Sequence, residues 1–114
     1  MANSIFTKII KREIPADIVF ENEEIIAIKD INPQAPVHIL IIPKKEISTI
    51  NDLTPDDLPL IGKLVDVARQ IAKEKGVEKD GYRLVFNVNE GAGQTVFHIH
   101  LHLIGGRKMN WPPG

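Results

Sequence analysis

HIHLHLIGGR (residues 98–107) sets three of the chain's four histidines at alternate positions, with Ile99 and Leu101 between them. The fourth is His38. In a strand, side chains alternate between faces at ~3.3 Å per residue. The spacing predicts a strand, VFHIHLHLI over 96–104, with His98, His100 and His102 on one face and Ile99, Leu101 and Leu103 on the other. Successive imidazoles would stand roughly 6.5–7 Å apart at the backbone. The apolar face must be buried, against a helix. The histidine face must meet polar partners, because a buried polar group without one costs about 1–3 kcal/mol.

Working outward, EGAGQT (90–95) is a glycine-rich turn, and YRLVFNVN (82–89) before it reads as a strand antiparallel to the first. Upstream, Leu58, Ile61, Leu64, Val65, Ala68, Ile71 and Ala72 form one helical face that Gly76 ends. Its start has two candidates. Thr54–Pro55 resembles a cap and first position, whereas a start at Asp57 puts Pro59 in the first turn. HILIIP (38–43) is apolar enough for a central strand. DIVFE (17–21) and IIAIKD (25–30) read as a hairpin across NEE, and INPQAP breaks the chain after it. A short helix over 4–12, capped by Asn3 or Ser4, ends near Pro15. The expected fold class is α+β: a five-stranded antiparallel sheet with one long and one short helix, in a single domain over 1–114.

Bulk properties narrow the function. The chain is 43% hydrophobic and 25% charged, an ordinary globular balance. Its net charge is -1, from 14 basic and 15 acidic residues, which makes no electrostatic case for nucleic acid or membrane. With no cysteine there is no disulfide, zinc-thiolate site or thiol nucleophile. MANSIFTKIIKREIP lacks the apolar region of a signal peptide, and no apolar run reaches membrane-spanning length. The expected location is cytoplasmic. PKKE (43–46) reads as a solvated turn.

Three readings fit the histidines. They are structural; or two of them at i and i+2 share a zinc ion with His38 as the other available imidazole; or one attacks phosphorus while the others position it or donate protons. Gly91 and Gly93 can turn backbone N–H groups toward an anion. Gln94 and Thr95 add neutral donors, and Asn87 on the paired strand can face the same site. No carboxylate pair and no P-loop lysine accompanies them, which favours a histidine nucleophile over metal-dependent phosphoryl transfer.

The pattern His-φ-His-φ-His-φ-φ, with φ apolar, resembles the motif of the histidine triad family of nucleotide hydrolases and transferases. SIFTKIIKREIPADIVFE, DINPQAPVHILIIPKK, GYRLVFNVNEGAGQT and GGRKMNWPPG extend the resemblance over about residues 4–114, to the branch of histidine triad nucleotide-binding proteins. The resemblance implies the histidine triad fold. It implies that His100 is the nucleophile, that His102 hydrogen-bonds the phosphate, that His98 supports the site and that His38 helps to orient the attacking ring. By the same matching, Asn87, Gly93, Gln94 and Thr95 lie on the phosphate side, Asp30 holds the ribose hydroxyls, and Phe6, Ile28 and Ile31 line a purine pocket. Trp111 reaches a neighbouring subunit's site in the family's dimer. Two positions depart from the branch. Thr95 stands where this branch commonly has serine, and threonine is common in the branch that cleaves dinucleoside polyphosphates; Ile28 stands where phenylalanine is frequent.

The expected activity is hydrolysis of purine nucleoside phosphoramidates through a nucleotidyl-histidine, without metal or other cofactor. The expected partners are a purine nucleotide and a second copy of the chain, with neither nucleic acid nor membrane. The alternatives are a dinucleoside polyphosphate hydrolase of the same family, a nucleotide-binding scaffold with incidental hydrolysis, and a zinc-binding protein.

Overall fold

The computed structural model describes residues 4–114. Asn3, the other cap candidate, lies outside the described residues. The Ser4 Oγ accepts the Thr7 N–H at 3.0 Å and caps helix α1, Ile5–Ile10. Six residues are too few for a helix to persist in water alone. α1 is held by burial of Phe6 and Ile9.

The strands are β1 (Ile18–Glu21), β2 (Ile25–Lys29), β3 (Val37–Pro43), β4 (Tyr82–Val85) and β5 (Leu101–Gly105). They form one antiparallel sheet in the order β1-β2-β3-β5-β4. β3 is central and buried on both faces, which explains its unbroken apolar run. Ile39 and Ile41 point to one side with Ile25, Ala27, Leu101 and Leu103. Leu40 and Ile42 point to the other, with Ile26, Ile28 and the α1 residues Phe6 and Ile9.

Helix α2 (Leu58–Glu74) covers the first of these faces through Leu64, Val67, Ala68, Ile71 and Ala72. Both candidate starts are used in succession. A 3-10 turn, Pro55–Asp57, opens at Thr54 and leads into α2, with Pro59 in its first turn. The Asp57 carboxylate accepts the Thr54 N–H at 3.0 Å and an ion pair from Lys45 at 2.6 Å. The buried stripe is rotated from the one expected: Leu58 and Val65 are exposed, and Val67 takes a core position. At the far end Gly76, at φ +74, is the left-handed residue of a double cap. The Val77 N–H reaches the Ala72 carbonyl at 3.0 Å and the Gly76 N–H reaches that of Lys73 at 3.2 Å.

The last two strands are shorter than expected. β4 stops at Val85 rather than 89, and β5 starts at Leu101 rather than 96. Beyond Val85 the chain leaves the ladder for a 3-10 turn at Glu90–Ala92, so 96–100 has no β4 partner. Side chains take over the hydrogen bonding there. The backbone N–H of Ile99 reaches Ile47 O at 2.8 Å, while the ring of His98 bonds Pro43 O and the ring of His100 bonds His98 O. The alternation survives the loss of strand geometry. Ile99, Leu101 and Leu103 join the α2 core, and the imidazoles lie on the α1 side.

Candidate active site

His98 is fully buried and bonded at both ring nitrogens. Its Nε2 is 2.7 Å from the Pro43 carbonyl, so that nitrogen carries the proton. Its Nδ1 then accepts the Ser4 hydroxyl at 2.6 Å. His100 Nδ1 donates to the His98 carbonyl at 2.8 Å. In the neutral ring that leaves the His100 Nε2 lone pair free.

His102 is set by a longer chain of donors. The Gln34 N–H donates to His38 Nδ1 at 3.0 Å, so neutral His38 is protonated at Nε2. That nitrogen lies 2.9 Å from His102 Nδ1 and 3.3 Å from Asp30 Oδ2. His102 therefore holds its proton on Nε2, which is buried and has no hydrogen-bond partner among the described residues. Such a donor costs free energy unless something accepts from it. The ring centroids of His100 and His102 are 4.9 Å apart, and Phe6 stands edge-on to His100 at 5.0 Å and to His98 at 5.9 Å.

A cavity of about 300 Å³ opens beside these rings, at the lower end of the ~300–1,000 Å³ typical of small-molecule sites. One wall is α1, through Ile5, Phe6 and Ile9. The floor is Ile28 and Leu40. Lys29, Asp30, Ile31, Thr95, Val96, His100 and His102 complete it. It thus joins an apolar slot to a polar end, where donor atoms of Asp30 and His102 lie within 4.8 Å of each other and the His100 Nε2 lone pair is free.

The family profile described as "Scavenger mRNA decapping enzyme C-term binding" matches residues 3–111. Purine nucleoside phosphoramidase of Escherichia coli K12 is 50% identical over 106 residues, covering 93% of this chain and 89% of that protein. An uncharacterised HIT-like protein of Synechocystis is 52% identical over 112 residues, 98% and 97% of the two chains. The crystal structure of a HIT family hydrolase from Legionella pneumophila superposes with a TM-score of 0.96 at 57% identity, covering 98% of this chain and all of that one. The chain belongs to the histidine triad family. It is a hydrolase of that family.

The histidine triad fold brings some of the expected residues together and leaves others apart. Phe6, Ile28, Asp30, Ile31, Thr95, His100 and His102 line one cavity. His38 and His98 stand behind it, each bonded to its neighbours. Gly93 and Gln94 serve the loop itself. The Gly93 N–H donates to Glu90 O at 2.9 Å, and the Gln94 amide donates to Ser48 O and Val96 O while accepting the Asn89 N–H. The anion nest expected of the glycine loop is therefore spent on internal bonds at Ala92, Gly93 and Gln94. Asn87 is half-buried outside the cavity lining, and Trp111 is 82% exposed. No motif marked Ser4, Gln34, Leu40, Pro43 or Val96. Their contributions are a hydroxyl, a backbone N–H, a carbonyl and apolar walls, which carry no sequence signature.

Burial pushes all four imidazoles toward neutrality. It lowers His38, His98 and His100, and takes His102 down to about 4 with help from the neighbouring His100 and His38. Asp30, His38 and His102 offer donor atoms all within 4.8 Å of one another, the one such cluster among the described residues. A metal ion there would have to displace the His38–His102 hydrogen bond. No described helix is long and apolar enough to cross a membrane.

Proposed function

We propose that the protein hydrolyses purine nucleoside phosphoramidates, such as adenosine 5′-phosphoramidate or lysine-linked AMP, as a cytoplasmic homodimer. The observation that carries this reading is the pairing of a neutral His100, its Nε2 lone pair free, with an unpartnered His102 Nε2–H beside it. The name of the Escherichia coli relative, at 50% identity, supports it. His100 Nε2 attacks the α-phosphorus and forms a P–N bond as the bond to the leaving amine breaks. The substrate's amine nitrogen takes a proton from solvent and leaves as the neutral amine; water then cleaves the nucleotidyl-histidine, gives its proton back to solvent, and releases the nucleotide with His100 neutral again. Two displacements replace one harder step. The His102 N–H stabilises charge on the phosphoryl oxygens, which is a large contribution in a dry site. Asp30 Oδ1 accepts the Asn32 N–H at 2.8 Å and Oδ2 stands 3.3 Å from the His38 ring, and a carboxylate keeps further lone pairs for ribose hydroxyls.

Thr95 in the cavity lining favours one competing substrate class, the dinucleoside polyphosphates. Steady-state hydrolysis of a fluorogenic AMP-amine against diadenosine polyphosphates separates the two. The phosphoramidase reading expects a higher kcat/KM for the amine, and a preference for the polyphosphate overturns it.

A further inference from the structure

α1 meets the triad through a hydrogen bond as well as through its apolar residues. Ser4 Oγ plays two roles at once, accepting the Thr7 N–H at 3.0 Å and donating to His98 Nδ1 at 2.6 Å. Two contacts together set the His98 tautomer: Pro43 O accepts from Nε2–H at 2.7 Å, and Nδ1 takes the Ser4 hydroxyl proton at 2.6 Å. Its Nδ1 is then an acceptor in a dry site, and Ser4 supplies the nearest donor. The other hydroxyl in reach, Thr7 Oγ1, is 3.4 Å away and already donates to Glu46. Glu46 also accepts the Ser4 N–H at 3.1 Å, so the start of α1 is fastened from two sides.

The consequence reaches the attacking ring through the backbone. A ring pinned at both nitrogens fixes where residue 98 sits, and the carbonyl of that residue holds the Nδ1–H of His100. Phe6, two residues after Ser4, packs its edge against both rings. We propose that Ser4 is a positioning residue for catalysis: its hydroxyl locks His98 in the Nε2–H tautomer, and the locked His98 carbonyl keeps His100 protonated on Nδ1 with Nε2 aimed at phosphorus. His98, on this view, is a fixed post between α1 and the nucleophile. The inference rests on the phosphoramidase reading for its kinetic arm only.

The test compares three substitutions that separate capping from donation. Ser4→Ala removes both roles. Ser4→Asp keeps a good cap, but an ionised carboxylate has no proton to give His98 Nδ1. Ser4→Thr keeps cap and donor. With AMP-amine substrate, Ser4→Ala and Ser4→Asp should lose kcat by about ten- to a hundredfold, the range in which small misplacements of a reacting group act, with KM little changed. Ser4→Thr should recover most of the rate. Imidazole 15N spectra of the free protein supply a readout independent of substrate: the wild type should show His98 protonated on Nε2 and His100 on Nδ1, and Ser4→Ala should mix both pairs of tautomers. Wild-type kcat in Ser4→Ala or Ser4→Asp overturns the proposal, as does failure of Ser4→Thr to recover it, or an unchanged tautomer pattern in Ser4→Ala. If the wild type leaves AMP-amine intact, the substrate reading falls, and the tautomer comparison still decides the role of Ser4.

Discussion

An imidazole attacks only when neutral, and burial drives His100 that way. The pH dependence of kcat/KM reports groups of the free enzyme, so its acid limb should lie below the ~6.5 of an unperturbed histidine. The sign for stability follows the same shifts. Folded pKa values below the unfolded ones mean that the unfolded chain binds more protons between about 6.5 and the folded values. Stability contributed by the buried rings is present above that window and is lost as pH falls through it, toward about 4 for His102. Rates should therefore be paired with melting curves at each pH. An acid limb at or above 6.5 in folded protein contradicts a burial-lowered nucleophile. In the same assay His100→Ala should lose more than the roughly 10²–10⁴ attributable to acid–base help, and an added nucleotidyl group in base-quenched enzyme, kept out of acid, should map to His100. Label on His98 or His102 overturns the assignment. The residue pattern made the triad legible, because three histidines in alternation beside apolar residues have few other uses. What fixes each tautomer was not legible. Ser4 and His98 are 94 positions apart, and the Gln34 and Pro43 contacts are made by backbone atoms that any residue possesses.

At the scale of elements, periodicity located α1, the β1–β2 hairpin, β3 and α2, because each has a face or a whole surface to bury. It failed where side-chain bonds replace the ladder. Residues 96–100 keep the alternation of a strand, yet their partners are an imidazole, a carbonyl and Ile47 rather than β4. The α2 stripe was rotated for a related reason. A helix that covers only part of a sheet leaves one flank, Leu58 and Val65, outside. The end of α2 was legible, since glycine suits a left-handed cap. At Gly76 an added Cβ meets nothing within 4 Å, so Gly76→Ala isolates the backbone cost of φ +74. Chemical denaturation should show a loss of about 1–2 kcal/mol, with kcat unchanged because the cap belongs to the α2 side of the sheet and the triad rings to the α1 side. A neutral or stabilising result would mean that the double cap does not hold the end of α2.

Across the whole molecule, the sheet has two edge strands, β1 and β4. β4 pairs only with β5, and an open strand edge is a template for association. Leu84 on that edge is 36% exposed, and it stands opposite Leu103, on the α2 side of the sheet. Val65 of α2 is 40% exposed. The tail is tied to the same strand, since Arg83 of β4 donates to the Asn110 carbonyl at 3.0 Å, one residue before the exposed Trp111. Edge, helix flank and tail together suit a self-complementary two-fold interface, in which one patch meets its own copy. The expected outcome is a dimer at micromolar concentration in sedimentation velocity. Leu84→Asp should shift it to monomer without unfolding it, because like charges would face each other across the axis and the side chain is already partly in water. Removing residues 110–114 should change the ranking of amine leaving groups more than the melting temperature, since Trp111 buries almost nothing within its own chain. A wild-type monomer would overturn the dimer, and a Leu84→Asp protein that dimerises as before would move the second copy away from β4.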